Sequence, residues 1–166
     1  CVATGEMDQG VIIGDNAGYQ LAGTGTENNG AVLIGYAAGR LFTSGSGNVV
    51  VGNSAFYSAG ARQYNTVLGS GAMYDATTAS KNVSIGYQTL ADLTTGDSNI
   101  ALGYQAGDSI TTGPRNTLVG YQAGDNIGVG ENNVMIGYNA DANATATSNT
   151  IVIGTDVTPT GNGQTI

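Results

Sequence analysis

Four aspartates stand in register along this chain: Asp75 and Asp92 lie 17 residues apart, and so do Asp108 and Asp125. If 17 residues make one turn of a coil, each pair stacks about 5 Å apart, the spacing of neighbouring strands. Carboxyl groups that close favour a shared proton or a bound cation, and paired carboxylates also run glycoside hydrolysis. The competing reading is a solvated loop edge that tolerates the repulsion. Nucleophilic catalysis lacks its partners, because the sequence has no His and its single Cys is residue 1. The calcium-binding nonapeptide Gly-Gly-x-Gly-x-Asp is absent, and no cofactor motif occurs, so catalytic, cofactor and metal sites are all expected to be none.

A second set of residues could bind rather than react. Tyr87, Tyr104, Tyr121 and Tyr138 recur every 17 residues, each followed by an amide: Gln88, Gln105, Gln122 and Asn139. Tyr36 occupies the same column, which Asn53 and Ser70 interrupt. Exposed aromatic and amide ladders suit carbohydrate or protein contact, since Tyr supplies rigid amphipathic area. Stacked Tyr and Gln also tie successive coils together, which is the competing structural reading. Thr77-Thr78, Thr94-Thr95 and Thr111-Thr112 form a third array, but Gly60 and Gly128 interrupt the regular Thr grid that ice binding requires.

The elements that position these columns follow from the period. A glycine preceded by an aliphatic residue recurs at Gly14, Gly35, Gly52, Gly69, Gly86, Gly103, Gly120, Gly137 and Gly154; the first spacing is 21 and the other seven are 17. Gly, Asn and Thr recur too often for helix, while Val and Ile favour short strands joined by turns. The expectation is an all-β parallel β-solenoid of nine coils spanning residues 1–166 as one repeat domain. Nine coils at about 4.8 Å each make a rod of roughly 40 Å. The longer first spacing places four extra residues near Gly23 to Glu27, and Gly161 to Ile166 reads as the opening of a further coil.

Four columns are expected to face inward: the residues one and three before the anchor glycine, the small residues three after it, and the apolar residues seven after it. Asn48, Asn65, Asn82, Asn99, Asn116 and Asn133, four before the glycine, suit a corner. Alternation then turns the residue two before the glycine outward. In that column Ile12, Leu33, Val50, Val67, Leu118, Met135 and Val152 are large and apolar, with Ser84 and Ala101 as exceptions. An outward apolar stripe along a rod marks an association surface, so these seven are the expected homo-oligomer interface.

Charge narrows the partners. The net charge is −8, with Arg40, Arg62, Lys81 and Arg115 the only cations, so the basic stripe needed for nucleic acid is missing. No apolar run reaches the ~20 residues of a membrane-spanning helix. Cys1 fits either the lipid-bearing residue of a processed lipoprotein or a fragment boundary, the plainer reading. Hexapeptide-repeat acyltransferases also repeat an aliphatic-Gly pair, but their coils divide into three equal units and their chemistry leans on a His base; neither feature is present here.

The units Asn116-Thr-Leu-Val-Gly-Tyr-Gln-Ala-Gly124 and Asn99-Ile-Ala-Leu-Gly-Tyr-Gln-Ala-Gly107 resemble the head repeats of YadA-like trimeric autotransporter adhesins. They are also similar to repeats in phage tail fibres. The resemblance runs from about Gly10 to Thr155, though the family period is typically shorter and no neck or heptad stalk is present. It implies a left-handed parallel β-roll, three chains side by side, and attachment to a host-cell receptor or glycan from an extracellular cell or virion surface. The expected function is a non-catalytic structural and adhesive fibre segment. The alternatives are a self-assembling filament subunit, a tailspike-like glycan hydrolase and an ice-binding solenoid.

Overall fold

A computed structural model describes residues 10–21, 30–58 and 60–159. The extra residues of the first spacing, the opening of a further coil and Cys1 lie outside the described residues. The strands are β1 (Val11–Ile13), β2 (Val32–Ile34), β3 (Phe42–Ser44), β4 (Val49–Val51), β5 (Gly60–Ala61), β6 (Thr66–Leu68), β7 (Val83–Ile85), β8 (Ile100–Leu102), β9 (Thr117–Val119), β10 (Val134–Ile136) and β11 (Ile151–Ile153). Nine of them form one parallel sheet in the order β1-β2-β4-β6-β7-β8-β9-β10-β11, and β3 pairs with β5 in a second sheet. The molecule is a β-solenoid. In the nine-stranded sheet register is strict: Val83 pairs with Ile100 and Ile100 with Thr117, each step one repeat along the chain. Among the described residues, no helix is long and apolar enough to cross a membrane.

Glycine is required at the anchor because the chain turns there while touching the coil above. Gly103 adopts φ +141°, and a Cβ on it would collide with the carbonyl oxygen of Gly120. The same clash repeats from Gly14 to Gly137, each against the next anchor. A column of residues without side chains therefore lets successive coils approach to backbone contact.

The corner asparagines are fully buried. The Oδ1 of Asn99 accepts the backbone N–H of Asn116 at 2.9 Å, and the Asn99 side-chain amide donates to the Gly113 carbonyl at 3.0 Å. The pattern holds from Asn48 through Asn133, where Thr150 continues the column by donating its N–H to Asn133 at 3.0 Å. Each asparagine thus satisfies two backbone groups of the next coil that the corner geometry removes from the sheet.

The pleat is opposite to the one expected from the sequence. Leu33, Val50, Val67, Ser84, Ala101, Leu118, Met135 and Val152 are buried in the core, and Ile12 packs partly against it. The expected interface residues Ile12, Leu33, Val50, Val67, Leu118, Met135 and Val152 are therefore core residues and present no stripe to a partner. The residues one and three before each glycine face out instead. The asparagine sets this parity: it points inward at four before the glycine, so the residue two before it shares its face. The columns three and seven after the glycine face inward as expected at Ala38, Ala72, Ala106 and Ala123 and at Leu21, Phe42, Leu93, Ile110 and Ile127. In the last coils, however, Val157 is half-buried and Ala144 is exposed, and Ala59 lies outside the described residues.

Volumes inside the core compensate between columns. Leu33 and Leu118 lie against Gly39 and Gly124, four residues after the anchor, where any Cβ would meet their methyl groups. Where that position carries Phe56, Met73 or Leu90, the facing residue shrinks to Val50, Val67 or Ser84. Ser84 is inside because Thr89 is too, their hydroxyls 2.6 Å apart. In the third coil, Arg62 fills core space beside Ala76. Its guanidinium lies 4.3 Å from the Phe56 ring centre and donates to the carbonyls of Ser58 and Ala76. Its Nε and Nη1 have no partner, and burial works against its charged form.

Two stability predictions follow from these contacts. Asn116→Ala strands the Asn133 N–H and the Gly130 carbonyl in the core; urea unfolding should show a loss of about 3 kcal/mol or more. Arg62→Met keeps the volume and removes a buried cation, but strands the carbonyls of Ser58 and Ala76. The two effects should offset, and the same measurement should show a change of no more than about 1 kcal/mol.

Candidate functional site

The Tyr column stacks face to face. Ring centres of Tyr87–Tyr104, Tyr104–Tyr121 and Tyr121–Tyr138 are 5.3, 5.1 and 5.1 Å apart, with planes within 14° of parallel. The ladder forms because Tyr occupies the exposed position directly after the anchor glycine, where backbone registry fixes ring spacing at the coil rise. Beside it the amides of Gln105 and Gln122 donate to Gln88 and Gln105 at 3.3 and 3.4 Å. All seven predicted ladder residues, Tyr87, Tyr104, Tyr121, Tyr138, Gln88, Gln105 and Gln122, are thus brought together on one edge. Stacking occupies the faces of the inner rings, so that edge offers phenol hydroxyls and ring rims to solvent.

A second ladder was missed in the sequence. Tyr19, Arg40, Tyr57 and Tyr74 all lie five residues after their anchors. Tyr57 and Tyr74 stack at 4.9 Å, and the Arg40 guanidinium sits 5.5 Å from the ring centres of both Tyr19 and Tyr57, donating to the Tyr57 hydroxyl. The third and fourth coils do not lose their tyrosine; it moves across the turn. Aligning the column five after the glycine, with Arg treated as a flat stacking group, exposes the pattern.

The same column turns acidic further along, at Asp108 and Asp125. These approach Asp92 and Asp141, and the Asn126 amide bridges Asp125 and Asp141. Gln122, Asp125, Asn126, Asn139, Asp141, Asp156 and Thr158 line an open hollow of about 330 Å³ there. Burial, a carboxyl–carboxyl hydrogen bond with Asp141 and the charges of Asp141 and Asp108 push Asp125 up to about 7. Burial, then Asp92, raises Asp108 as well. Among the described residues no cluster of three or more His, Cys, Asp or Glu side chains is arranged to hold a metal ion. Asp75 stands apart, accepting the Ser58 hydroxyl at 3.4 Å.

The threonine array is likewise engaged with the fold. The hydroxyls of Thr77 and Thr94 donate to the carbonyls of Thr94 and Thr111 at 3.0 and 2.9 Å, which ties coils together.

With the fold and these edges described, the chain matches no family model, no curated protein and no solved structure.

The Asp125 environment has a consequence for pH. The folded chain holds that proton up to about pH 7, whereas an unfolded Asp releases it near 4. The contribution to stability is complete below about 4 and is lost as pH rises through about 7. This carboxyl is largely open to solvent, so screening reduces the effect well below the full linkage value. Thermal scans should show Tm falling by a few degrees between pH 5 and pH 8, as a change of about one kcal/mol produces. Asp125→Asn should flatten that dependence.

Proposed function

We propose that this chain is a non-catalytic structural and adhesive fibre segment that works as a homo-oligomer at an extracellular cell or virion surface. The observation that carries this reading is the outer face of the nine-stranded sheet. Its 18 outward positions hold 16 Val, Ile or Leu residues and only Thr66 and Thr117 besides. Val11, Ile13, Val49, Ile100, Leu102, Ile136, Ile151 and Ile153 are exposed, and the remaining positions half-buried.

Eight strand spacings of about 4.8 Å and two side chains per strand make this face roughly 38 Å by 10 Å, or about 400 Å² in projection. That matches the largest apolar patches found on monomers, which are about 300–600 Å² and are usually functional. Two such faces apposed bury on the order of 800–1,000 Å², near the lower bound of a specific interface. The occupant is argued to be another copy, because a long, flat, uncharged face with a fixed rise of one coil is complementary to itself in register. The sequence-based interface is replaced by these columns, which are twice as wide and lie one residue to either side of it.

A rod of this kind suits a fibre. Its backbone hydrogen bonds run along the axis from coil to coil, and its core has no hinge among the described residues. The Tyr and Gln ladders on one rim then supply a repeated surface for contact with a receptor or glycan. The resemblance of the repeat units to adhesin heads and tail fibres points the same way.

Sedimentation tests this directly. The wild-type chain should run as a multiple of its 16.6 kDa monomer, and the double variant Ile85→Asp, Leu102→Asp should run as a folded monomer. A wild-type monomer at micromolar concentration contradicts the reading.

A further inference from the structure

Inside a ladder, both faces of every ring are covered; at its end, one face is free. Within each ladder the end ring is the more open one. Tyr87 and Tyr138 are 47% and 49% exposed, against 43% and 41% for the inner Tyr104 and Tyr121. In the second ladder Tyr74 is 39% exposed, while Tyr57, covered on both sides, is half-buried. The Tyr87 face turned away from Tyr104 looks towards the fourth coil, whose residue in that column is Ser70, exposed and small. The second ladder ends at the same step. Tyr74 stacks on Tyr57 below, while above it in the fifth coil the column holds Ala91. Towards its other end the ladder continues through Arg40, which lies between the rings of Tyr57 and Tyr19.

The switch of tyrosine from one side of the turn to the other therefore leaves two free aromatic faces at a single step between the fourth and fifth coils. One looks down the rod over Ser70 and the other looks up it over Ala91. Each opening is one coil deep, about 4.8 Å, which is the thickness of a ring laid flat against an aromatic face. Polar groups stand beside both. Gln88 flanks Tyr87, its side chain lying over Gly71. Asp75 and Asp92, both exposed, flank Tyr74 and Ala91.

We infer that this step is a carbohydrate-binding site in which Tyr87 and Tyr74 each stack on the C–H face of a neutral hexopyranose. The inference rests on the adhesive reading above and names its ligand class. A pyranose has one face of C–H bonds and a rim of hydroxyls, so it matches an apolar ring face edged by amide and carboxylate acceptors. The charge decides between sugars. Asp75, Asp92 and Asp108 stand on this rim, and the chain carries −8 overall, so uronic and sialic acids are repelled while neutral sugars are not. The inner rings, although more numerous, have no free face. The end face of Tyr138 looks towards Thr155 and Asp156, with Ala142 in place of a ring in the second ladder's column, so it lacks the paired rings of the step.

The test covers the free faces without removing a tyrosine. Ser70→Tyr and Ala91→Tyr each extend a ladder by one ring; neither position has the positive φ that a side chain resists. The full chain is titrated with cellohexaose, maltohexaose and chitohexaose, with a hexagalacturonate as the acidic comparison, and binding is read by ligand-observed NMR. At least one neutral hexaose should bind, the acidic one should bind at least tenfold more weakly, and the double variant should lose at least tenfold in affinity with its Tm unchanged or raised. Tyr121→Ser, which uncovers faces of Tyr104 and Tyr138 inside the ladder, should not weaken binding.

Two outcomes overturn the site: no neutral hexaose binds, or the Ser70→Tyr, Ala91→Tyr chain binds as well as wild type. An oligomer that assembles through its sheet face yet binds no hexaose removes this site alone. A sugar-binding monomer removes the fibre reading alone.

Discussion

The buried asparagine column is the constraint on which the rest of the molecule depends. Six amides, from Asn48 to Asn133, each join one coil to the next through Oδ1 and Nδ2. A corner in a coil this tight turns backbone N–H and C=O groups inward, where water cannot reach them, and each unpaired group would cost about 1–3 kcal/mol. The amide is the one side chain that offers acceptor and donor together at this length. Once it points inward, the strand parity follows: the residue two after it is core, and its two neighbours are surface. The apolar outer face is thus a consequence of a polar residue in the interior.

That dependence explains which parts of the structure were legible in the sequence. The period, the parallel stacking and the inward Ala column were readable because spacing alone carries them. The pleat was not. Three consecutive aliphatic residues give period-2 alternation nothing to contrast, so the nine-of-nine aliphatic column ending at Ile153 looked like core. Two signals were present. Ser84 and Thr89 break their columns in the same coil, as two polar residues do when they bond to each other inside. Large residues at Phe56, Met73 and Leu90 coincide with small ones six residues earlier, as cavity-filling requires.

The ladders show the same limit from the surface side. Tyr87 to Tyr138 were readable as a column because they share one offset from the glycine. Tyr57, Tyr74 and Arg40 share another, so the first column looked merely interrupted at Asn53 and Ser70 because the residue type, not the stacking, was being followed. Packing treats a guanidinium and a phenol ring as equivalent flat groups. The acid cluster around Asp125 drifts by one position per coil or so, from Asp108 and Asp125 to Asp141 and then Asp156. Strict column alignment therefore catches only its first pairs.

One accessibility measurement bears on the central claim that parity is set from inside and turns the residues one and three before each anchor glycine outward. In a Cys1→Ser background, single cysteines are placed at adjacent positions by Leu118→Cys and Val119→Cys and treated with a thiol reagent. The account predicts that the cysteine at 118 stays unreactive in every state, while that at 119 reacts in the dissociated chain and is protected on association. A reactive cysteine at 118 with a shielded one at 119 in the monomer would contradict it.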